Sequence, residues 1–316
     1  MKIIDMHCDS LLGYIGDKKF SLRENDGHLS LEKMKRAGGL AQFFAIFISR
    51  EDMKTEDPYD FFEELYQFYL EELNKNRDLI QPAFCKQDIL DNRAKGRMSS
   101  ILTIEDGFVI KDSIDKLDDL FDKGVRLITL TWDFENDIGY PCTLDEEENK
   151  RGLKRFGFEV VQRMNEKGMI IDVSHLSEGG FYDVAKHSSK PFVASHSCAK
   201  ELCFHRRNLT DHQLKVIGES GSLVGVNYYS AFLQNEGSYS SNKRIVEHIE
   251  HMTKHAGIEA VGLGSDFDGI SGELEMKDYS GYPALIEEMR KSFTDDEVEK
   301  ICYQNALRLI GDVMRR

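Results

Sequence analysis

Eight short apolar runs, separated by stretches of helical periodicity, constrain this chain of 316 residues more than any other feature. The runs cover 2–7, 41–49, 100–105, 125–131, 169–175, 191–196, 222–228 and 260–266. Each has strand length and is apolar enough to be covered on both faces, the pattern of a parallel sheet in an α/β protein. Helical patterns at 31–37, 59–75 with 88–97, 115–123, 152–167, 178–187, 210–219 and 241–256 precede the second to eighth runs. Two more, 282–292 and 294–310, follow the last. Eight strand–helix units close a (β/α)8 barrel, a fold that spans ~200 to over 400 residues as one unit. A doubly wound open sheet would need fewer strands and usually a Gly-rich phosphate loop, and the chain has none. No internal repeat, low-complexity tract or Pro/Ser linker divides it, so residues 1–316 are expected to form a single TIM-barrel domain. Gly124, Gly168, Gly221 and Gly257 fall between a helical pattern and the next strand, where helices end. Thr294 and Glu297 read as the capping box of the last helix.

Several of the runs end in residues that ligate metals. His7 and Asp9 follow the first, Glu105 ends the third, His175 the fifth, His196 the sixth and Asp266 the eighth. A barrel presents the C-terminal ends of all its strands on one face, where active sites form. Residues widely spaced in sequence would therefore meet at one point. His7 and Asp9 are two apart in an extended segment and point the same way, so they can grip one cation together. Imidazole nitrogen and carboxylate oxygen suit zinc and its divalent neighbours. Five ligands exceed the need of one open catalytic ion and divide between two if one carboxylate bridges them. Glu105 is the candidate bridge. Two ions roughly 3.5–4 Å apart would hold a bridging hydroxide, leaving Asp266 as general base and later acid. The expectation is a metal-dependent hydrolase.

Composition narrows the partners. The net charge of -15 repels nucleic-acid phosphates and anionic lipid, so neither nucleic acid nor membrane is an expected partner. Mean hydropathy is -0.45, and the longest apolar run, 40–49, is broken by Gln42, far below the ~18 residues of a membrane span. No basic segment with an apolar stretch opens the chain, and the expected location is the cytoplasm. The six cysteines form no CxxC pair and are expected to be free thiols.

At this point the chain resembles the renal (membrane) dipeptidase family of binuclear zinc peptidases. The resemblance rests on collinear segments spread over nearly the whole length. They are Ile4-Asp-Met-His-Cys-Asp-Ser10, Gly38-Gly-Leu-Ala-Gln-Phe-Phe44, Thr103-Ile-Glu-Asp-Gly107, Arg126-Leu-Ile-Thr-Leu-Thr131, Ile171-Asp-Val-Ser-His175, Ser195-His-Ser197, His205-Arg-Arg-Asn208, Val226-Asn-Tyr228 and Gly264-Ser-Asp-Phe-Asp-Gly269. The resemblance implies two Zn2+ per subunit, or other divalent metals, with His7, Asp9 and Glu105 on one ion and Glu105, His175 and His196 on the other. It implies that Asp266 handles the proton and that Arg207 binds the carboxylate of a small dipeptide substrate. A guanidinium fork matches such a carboxylate with two hydrogen bonds. Arg206, one residue away, is the alternative partner. Asn227 and Tyr228 are expected to line the pocket. Relatives are often dimers, which makes a homodimer the expected assembly.

One position departs from the family. Mammalian relatives carry a His after the fourth strand that contacts the substrate carbonyl. Here Trp132 stands there, with Asn136 as a second candidate polar contact. Indole donates one hydrogen bond and carries no charge, so the metals are expected to take more of the oxyanion stabilisation. The expected activity is hydrolysis of L-Xaa-L-Xaa and L-Xaa-D-Xaa dipeptides. Trp132 motivates the alternative of an amidohydrolase for another small N-acyl amino acid or lactam. A catalytically silent metal-binding barrel would be the reading had Glu105 or Asp266 been lost. Other features are given structural readings. His248, His251 and His255 share a helical side and are expected to be a solvated outer face. Cys8 should face the barrel wall, the 145–148 acidic run should be a solvated loop or helix start, and the 59–69 aromatics should be core.

Overall fold

The computed structural model describes residues 1–53 and 57–316. Its centre is a closed parallel barrel of eight strands. In chain order these are β1 (Ile3–Asp5), β2 (Gly39–Phe47), β3 (Met98–Glu105), β4 (Val125–Thr129), β5 (Ile170–Asp172), β6 (Val193–Ser197), β7 (Leu223–Val226) and β8 (Val261–Leu263). Each pairs in parallel with its sequence neighbours, and β1 closes the ring on β8 through Asp5 opposite Leu263. The longest ladder joins β2 to β3, from Ala41 opposite Ser99 to Phe47 opposite Glu105. The fold is the expected single (β/α)8 barrel.

Strand alternation sorts side chains between two cores. Ile4, Phe43, Ile101, Leu127, Ile170, Val193 and Leu223 form one buried cluster with Ala306, Leu309, Ile310 and Val313 of the last helix and Met314 just after it. That cluster fills the barrel away from the strand ends, and the last helix plugs it. The larger cluster lies between the strands and the surrounding helices. Along β3 the alternation that turns Ile101 inward also turns Thr103 and Glu105 inward, which sets a carboxylate on the barrel axis at the mouth. Gly264 is required where β8 meets β6, because a Cβ there would lie 1.8 Å from the Ser195 carbonyl oxygen.

The helices follow their sequence signals with small shifts. Gly124, Gly168, Gly221 and Gly257 all have positive φ. Thr294 and Glu297 make the expected capping box, and Thr210 and Gln213 make a second one. Asp145 caps the short helix Glu146–Asn149, so the acidic run is a helix start. Phe61, Phe62, Phe68 and Tyr69 are buried core. The last helical pattern is not one helix. A π-type turn at Lys300–Gln304 separates Asp295–Glu299 from Asn305–Val313. It packs beneath β1 and β8, and the Asn305 amide donates there to the carbonyls of Ile258 (2.7 Å) and Val261 (2.8 Å). A short strand at Ile80–Pro82, pairing in parallel with Met98, Ser99 and Ser100 of β3, and a parallel pair of Tyr239–Ser240 with Glu273–Leu274 were not anticipated. All six cysteines are unpaired. Among the described residues no helix is long and apolar enough to cross a membrane.

Candidate active site

The expected ligands meet at the mouth of the barrel. Glu105 is the centre of the group, and its two oxygens face different partners. Oε2 lies 3.6 Å from His7 Nε2, whereas Oε1 lies 3.0 Å from His175 Nε2 and 3.3 Å from His196 Nε2. His7 Nε2 is also 3.3 Å from Asp9 Oδ2 and 3.7 Å from Asp266 Oδ1. Two groups of three thus have all ligating atoms within 4.8 Å of one another: His7, Glu105 and His196, and His7, Asp9 and Asp266. All six residues of the cluster are buried.

The backbone bends to make this arrangement. His175 and Asp266 sit in the left-handed region with φ of 67° and 62°. Such conformations cost ~1–3 kcal/mol for residues other than glycine and persist where the surroundings fix them, often at functional sites. Gly269 lies against the cluster, since a Cβ there would stand 2.1 Å from Asp9 Oδ2 and 2.7 Å from Asp266 Oδ1.

A second layer orients the rings. His175 Nδ1 is 3.0 Å from Asp133 Oδ1, and Asp133 also pairs with Arg206. His196 Nδ1 meets Ser195 Oγ at 2.8 Å, and that hydroxyl is bonded to Asp172 Oδ2 at 2.6 Å. Asp172 further accepts from the Ser195 and Ser174 amides and from Thr129 Oγ1. On the opposite side Asp5 accepts from the Ser265 amide and hydroxyl, which pins β1 to the turn that carries Asp266. Asn227 Nδ2 donates to Asp266 Oδ2 at 2.8 Å and leaves Oδ1 facing the cluster.

The electrostatics show concentrated negative charge. Burial pushes Asp9 up to about 8 against the pull of His7, with Glu105 and Asp266 adding to the rise. Burial also works against the charged form of Glu105, but His7 first, then His175 and His196, outweigh it and hold Glu105 well below the usual carboxylate range. Burial opposes a charged His7, yet Asp9 and Glu105 raise it well above its ordinary value. Burial, with His7 beside it, lowers His196 to about 4.

The residues fit a metal centre. His7 Nδ1 and Nε2 and Asp9 Oδ1 are buried with no hydrogen-bond partner, although buried polar atoms nearly always have one. The donor set of imidazoles and carboxylates is that of zinc and related divalent ions. The second layer is of the kind that accompanies ligating histidines.

Beside the cluster lies a cavity of about 350 Å³, within the range of small-molecule sites. Phe47, Trp132, Tyr229 and Phe232 give it aromatic walls, and Arg206, Arg207 and His205 line it. The structure separates the two arginines. Arg206 is occupied by Asp133 and the Cys142 carbonyl. Arg207 is buried, donates from Nη2 to the His196 carbonyl at 3.3 Å, and has an Nε with no partner.

Three expected contacts are corrected. Tyr228 does not line the cavity. It is fully buried, its hydroxyl donates to Tyr282 at 3.3 Å, and its ring packs on Phe267. Just past the end of β7 the chain turns Tyr228 outward while Asn227 points in, and Tyr229 takes the place at the wall. Asn227 acts on the site through Asp266 rather than by lining the cavity. Asn136 is a loop staple, with its amide on Asp106 Oδ1 and the Leu130 carbonyl and its oxygen accepting from Ile138 and Gly139. Trp132 does line the cavity and packs against Phe47, Phe134 and His175. Cys8 turns away, its thiol donating a hydrogen bond to the Phe43 carbonyl. The outer-helix expectation fails for His248, which is buried, accepts from the Ala199 amide at 3.1 Å and meets the Leu233 carbonyl at 2.9 Å.

A closed barrel with this buried cluster beside a cavity defines a metal-dependent hydrolase of the barrel type. The family model for "Membrane dipeptidase (Peptidase family M19)" matches residues 1–315, and the chain belongs to that family. An uncharacterized dipeptidase of Schizosaccharomyces pombe is 32% identical over 330 aligned positions, covering 98% of this chain and 79% of the yeast protein. Among solved structures, a Rhodobacter sphaeroides metallopeptidase liganded with a phosphinate mimic of the dipeptide L-Ala-D-Ala superposes with a TM-score of 0.92 at 27% identity, covering 99% of both chains. The crystal structure of another M19 metallopeptidase, a dipeptidase, gives the same TM-score, identity and coverage.

Proposed function

We propose that this protein is a binuclear zinc dipeptidase that cleaves L-Xaa-L-Xaa and L-Xaa-D-Xaa dipeptides. The observation that carries the reading is the division of Glu105, with Oε2 toward His7 and Oε1 toward His175 and His196. A carboxylate divided in this way joins two subsites, His7 and Asp9 on one side and His175 and His196 on the other. Zinc held there would supply Lewis acidity for the scissile carbonyl and for an attacking water. The chain's own groups do the rest. Asp266 takes a proton at Oδ1 and returns it to the leaving amine, while Asn227 fixes its other oxygen. Arg207, at the cavity wall, receives the substrate's C-terminal carboxylate on its guanidinium. Trp132, Phe47, Tyr229 and Phe232 hold the two side chains and keep water out. The anchored carboxylate limits the length to two residues. The acceptance of a D-residue is supported by the L-Ala-D-Ala mimic bound to the Rhodobacter relative.

The test is a panel of dipeptides with either stereoisomer at the second residue, run beside tripeptides, dipeptide amides and N-acyl amino acids. Cleavage confined to free dipeptides and abolished by chelation is expected. Cleavage of N-acyl amino acids alone would move the assignment to an amidohydrolase.

A further inference from the structure

A second set of metal-ligating side chains meets on the outside of the barrel, on helices that share no residue with the active-site cluster. Helix Asp211–Glu219, before β7, packs against helix Asn242–Ala256, before β8. His251 and His255 stand one turn apart on the second helix and therefore on one face. Both aim at a single carboxylate on the first. His251 Nε2 lies 2.6 Å from Asp211 Oδ1 and His255 Nε2 lies 3.5 Å from Asp211 Oδ2. The imidazole rings are stacked, with centroids 4.5 Å apart and planes at 23°. One ligating atom from each of the three residues lies within 4.8 Å of the other two.

We propose that Asp211, His251 and His255 form a second binding site, for a divalent transition ion such as zinc or nickel, that ties these two helices together. Ligands bonded at ~2.0–2.2 Å stand roughly 3.0–3.5 Å from one another around such an ion. The observed separations need only small rotamer adjustments to reach that spacing. A helix-to-helix hydrogen bond would use one histidine. Here a second one stacks on the first and faces the other oxygen of the same carboxylate, which gives two nitrogens and an oxygen converging from two rigid elements. Imidazole with carboxylate favours zinc, nickel or copper over magnesium or calcium. The side chains are 17%, 26% and 37% exposed for His251, His255 and Asp211, so an ion can enter from solvent and keep water on its open side. The two other histidines nearby are engaged elsewhere. His248 points inward to Leu233 and Ala199, and His212 bonds the Tyr182 hydroxyl.

The experiment is zinc binding to the untagged, zinc-loaded holoenzyme, by calorimetry and by elemental analysis after desalting, for wild type, His255→Gln and His251→Gln. Wild type is expected to bind one equivalent per chain more than either variant and to gain several degrees in Tm on zinc addition. The variants should keep wild-type kcat/KM on dipeptide and gain nothing in Tm. Equal zinc content in wild type and both variants, or an equal Tm response, overturns the site. His255 makes only the 3.5 Å contact, so His255→Gln carries the test if His251→Gln fails to fold.

Discussion

Replacing Arg207 tests the substrate half of the account. The residue is 4% exposed, its guanidinium lies 5.4 Å from the centre of the Phe232 ring, and it lines the cavity. A substrate carboxylate on the guanidinium would make two charge-assisted hydrogen bonds in a dry setting, each worth ~1.5–3 kcal/mol. Removing one partner of such a pair costs ~3–5 kcal/mol. Arg207→Met should therefore lower kcat/KM on a dipeptide by roughly 10²- to 10⁴-fold. Arg207→Lys keeps the charge without the fork and should lose about 2 kcal/mol, near thirtyfold. The assay is a cycle of wild type and Arg207→Met against a dipeptide and its C-terminal amide. Wild type should cleave the amide as poorly as the variant cleaves the acid, and the variant should scarcely distinguish the two. Arg206→Lys, already tied to Asp133, should lose less than ~tenfold, in line with partly exposed ion pairs. Equal losses on acid and amide would refute carboxylate recognition by Arg207.

Four further outcomes follow from the same geometry. Asp266→Asn should lower kcat by ~10²- to 10⁴-fold, as expected for loss of a general acid–base group, while metal content measured by elemental analysis stays at the wild-type level. Asp133→Asn weakens the group that orients His175 at 3.0 Å and should cost ~10- to 100-fold in metal affinity or activity, read by chelator titration. Gly269→Ala would drive a methyl group to 2.1 Å from Asp9 Oδ2 and should lower kcat/KM by at least ~100-fold, as displacements of about 1 Å do, with an unchanged circular dichroism spectrum. His248 concerns stability. Burial lowers it to about 4 from an ordinary 6.5. The unfolded chain therefore takes up this proton near pH 6.5 and the folded chain only near 4. Its contribution is full above pH 6.5 and is lost as pH falls toward 4, by ~3 kcal/mol in total. His248→Gln should flatten that part of the wild-type stability profile in urea unfolding between pH 7 and 4.5.

The barrel and the cluster of imidazoles and carboxylates at its mouth were legible largely because both depend on local rules. Buried parallel strands read as apolar runs; Glu105 and His196 lie within their strands, whereas His7, His175 and Asp266 stand two to three residues beyond theirs, in the turns that follow. Glu105 is the simplest case, since alternation along β3 alone turns it inward. The second layer was not legible. Asp133 meets His175 and Arg206 from 42 and 73 residues away, and no spacing links them. Tyr228 was misplaced because Asn227 and Tyr228 lie just past the end of β7, where the chain turns the Asn227 amide to Asp266 and the Tyr228 ring to Phe267. His248 was misplaced because a helix side holding three histidines is wide. Its near edge belongs to the buried stripe of Ile245, Ile249 and Met252, while His251 and His255 reach the outer surface. The π-type turn at Lys300–Gln304 adjoins Asn305, whose amide reaches the Ile258 and Val261 carbonyls, a tertiary contact without a local signal.

On the proposed function, Glu105 joins two metal subsites that together support dipeptide hydrolysis. This is tested most directly by titrating metal-free His255→Gln protein with zinc and following cleavage of L-Ala-D-Ala against bound equivalents. In that background the outer helices do not contribute to the count. Activity is predicted to reach its maximum at two equivalents per chain, and Glu105→Gln added to this background should leave no cleavage at any loading. Full activity at one equivalent, or two tightly held zincs without cleavage of any dipeptide, would contradict the account.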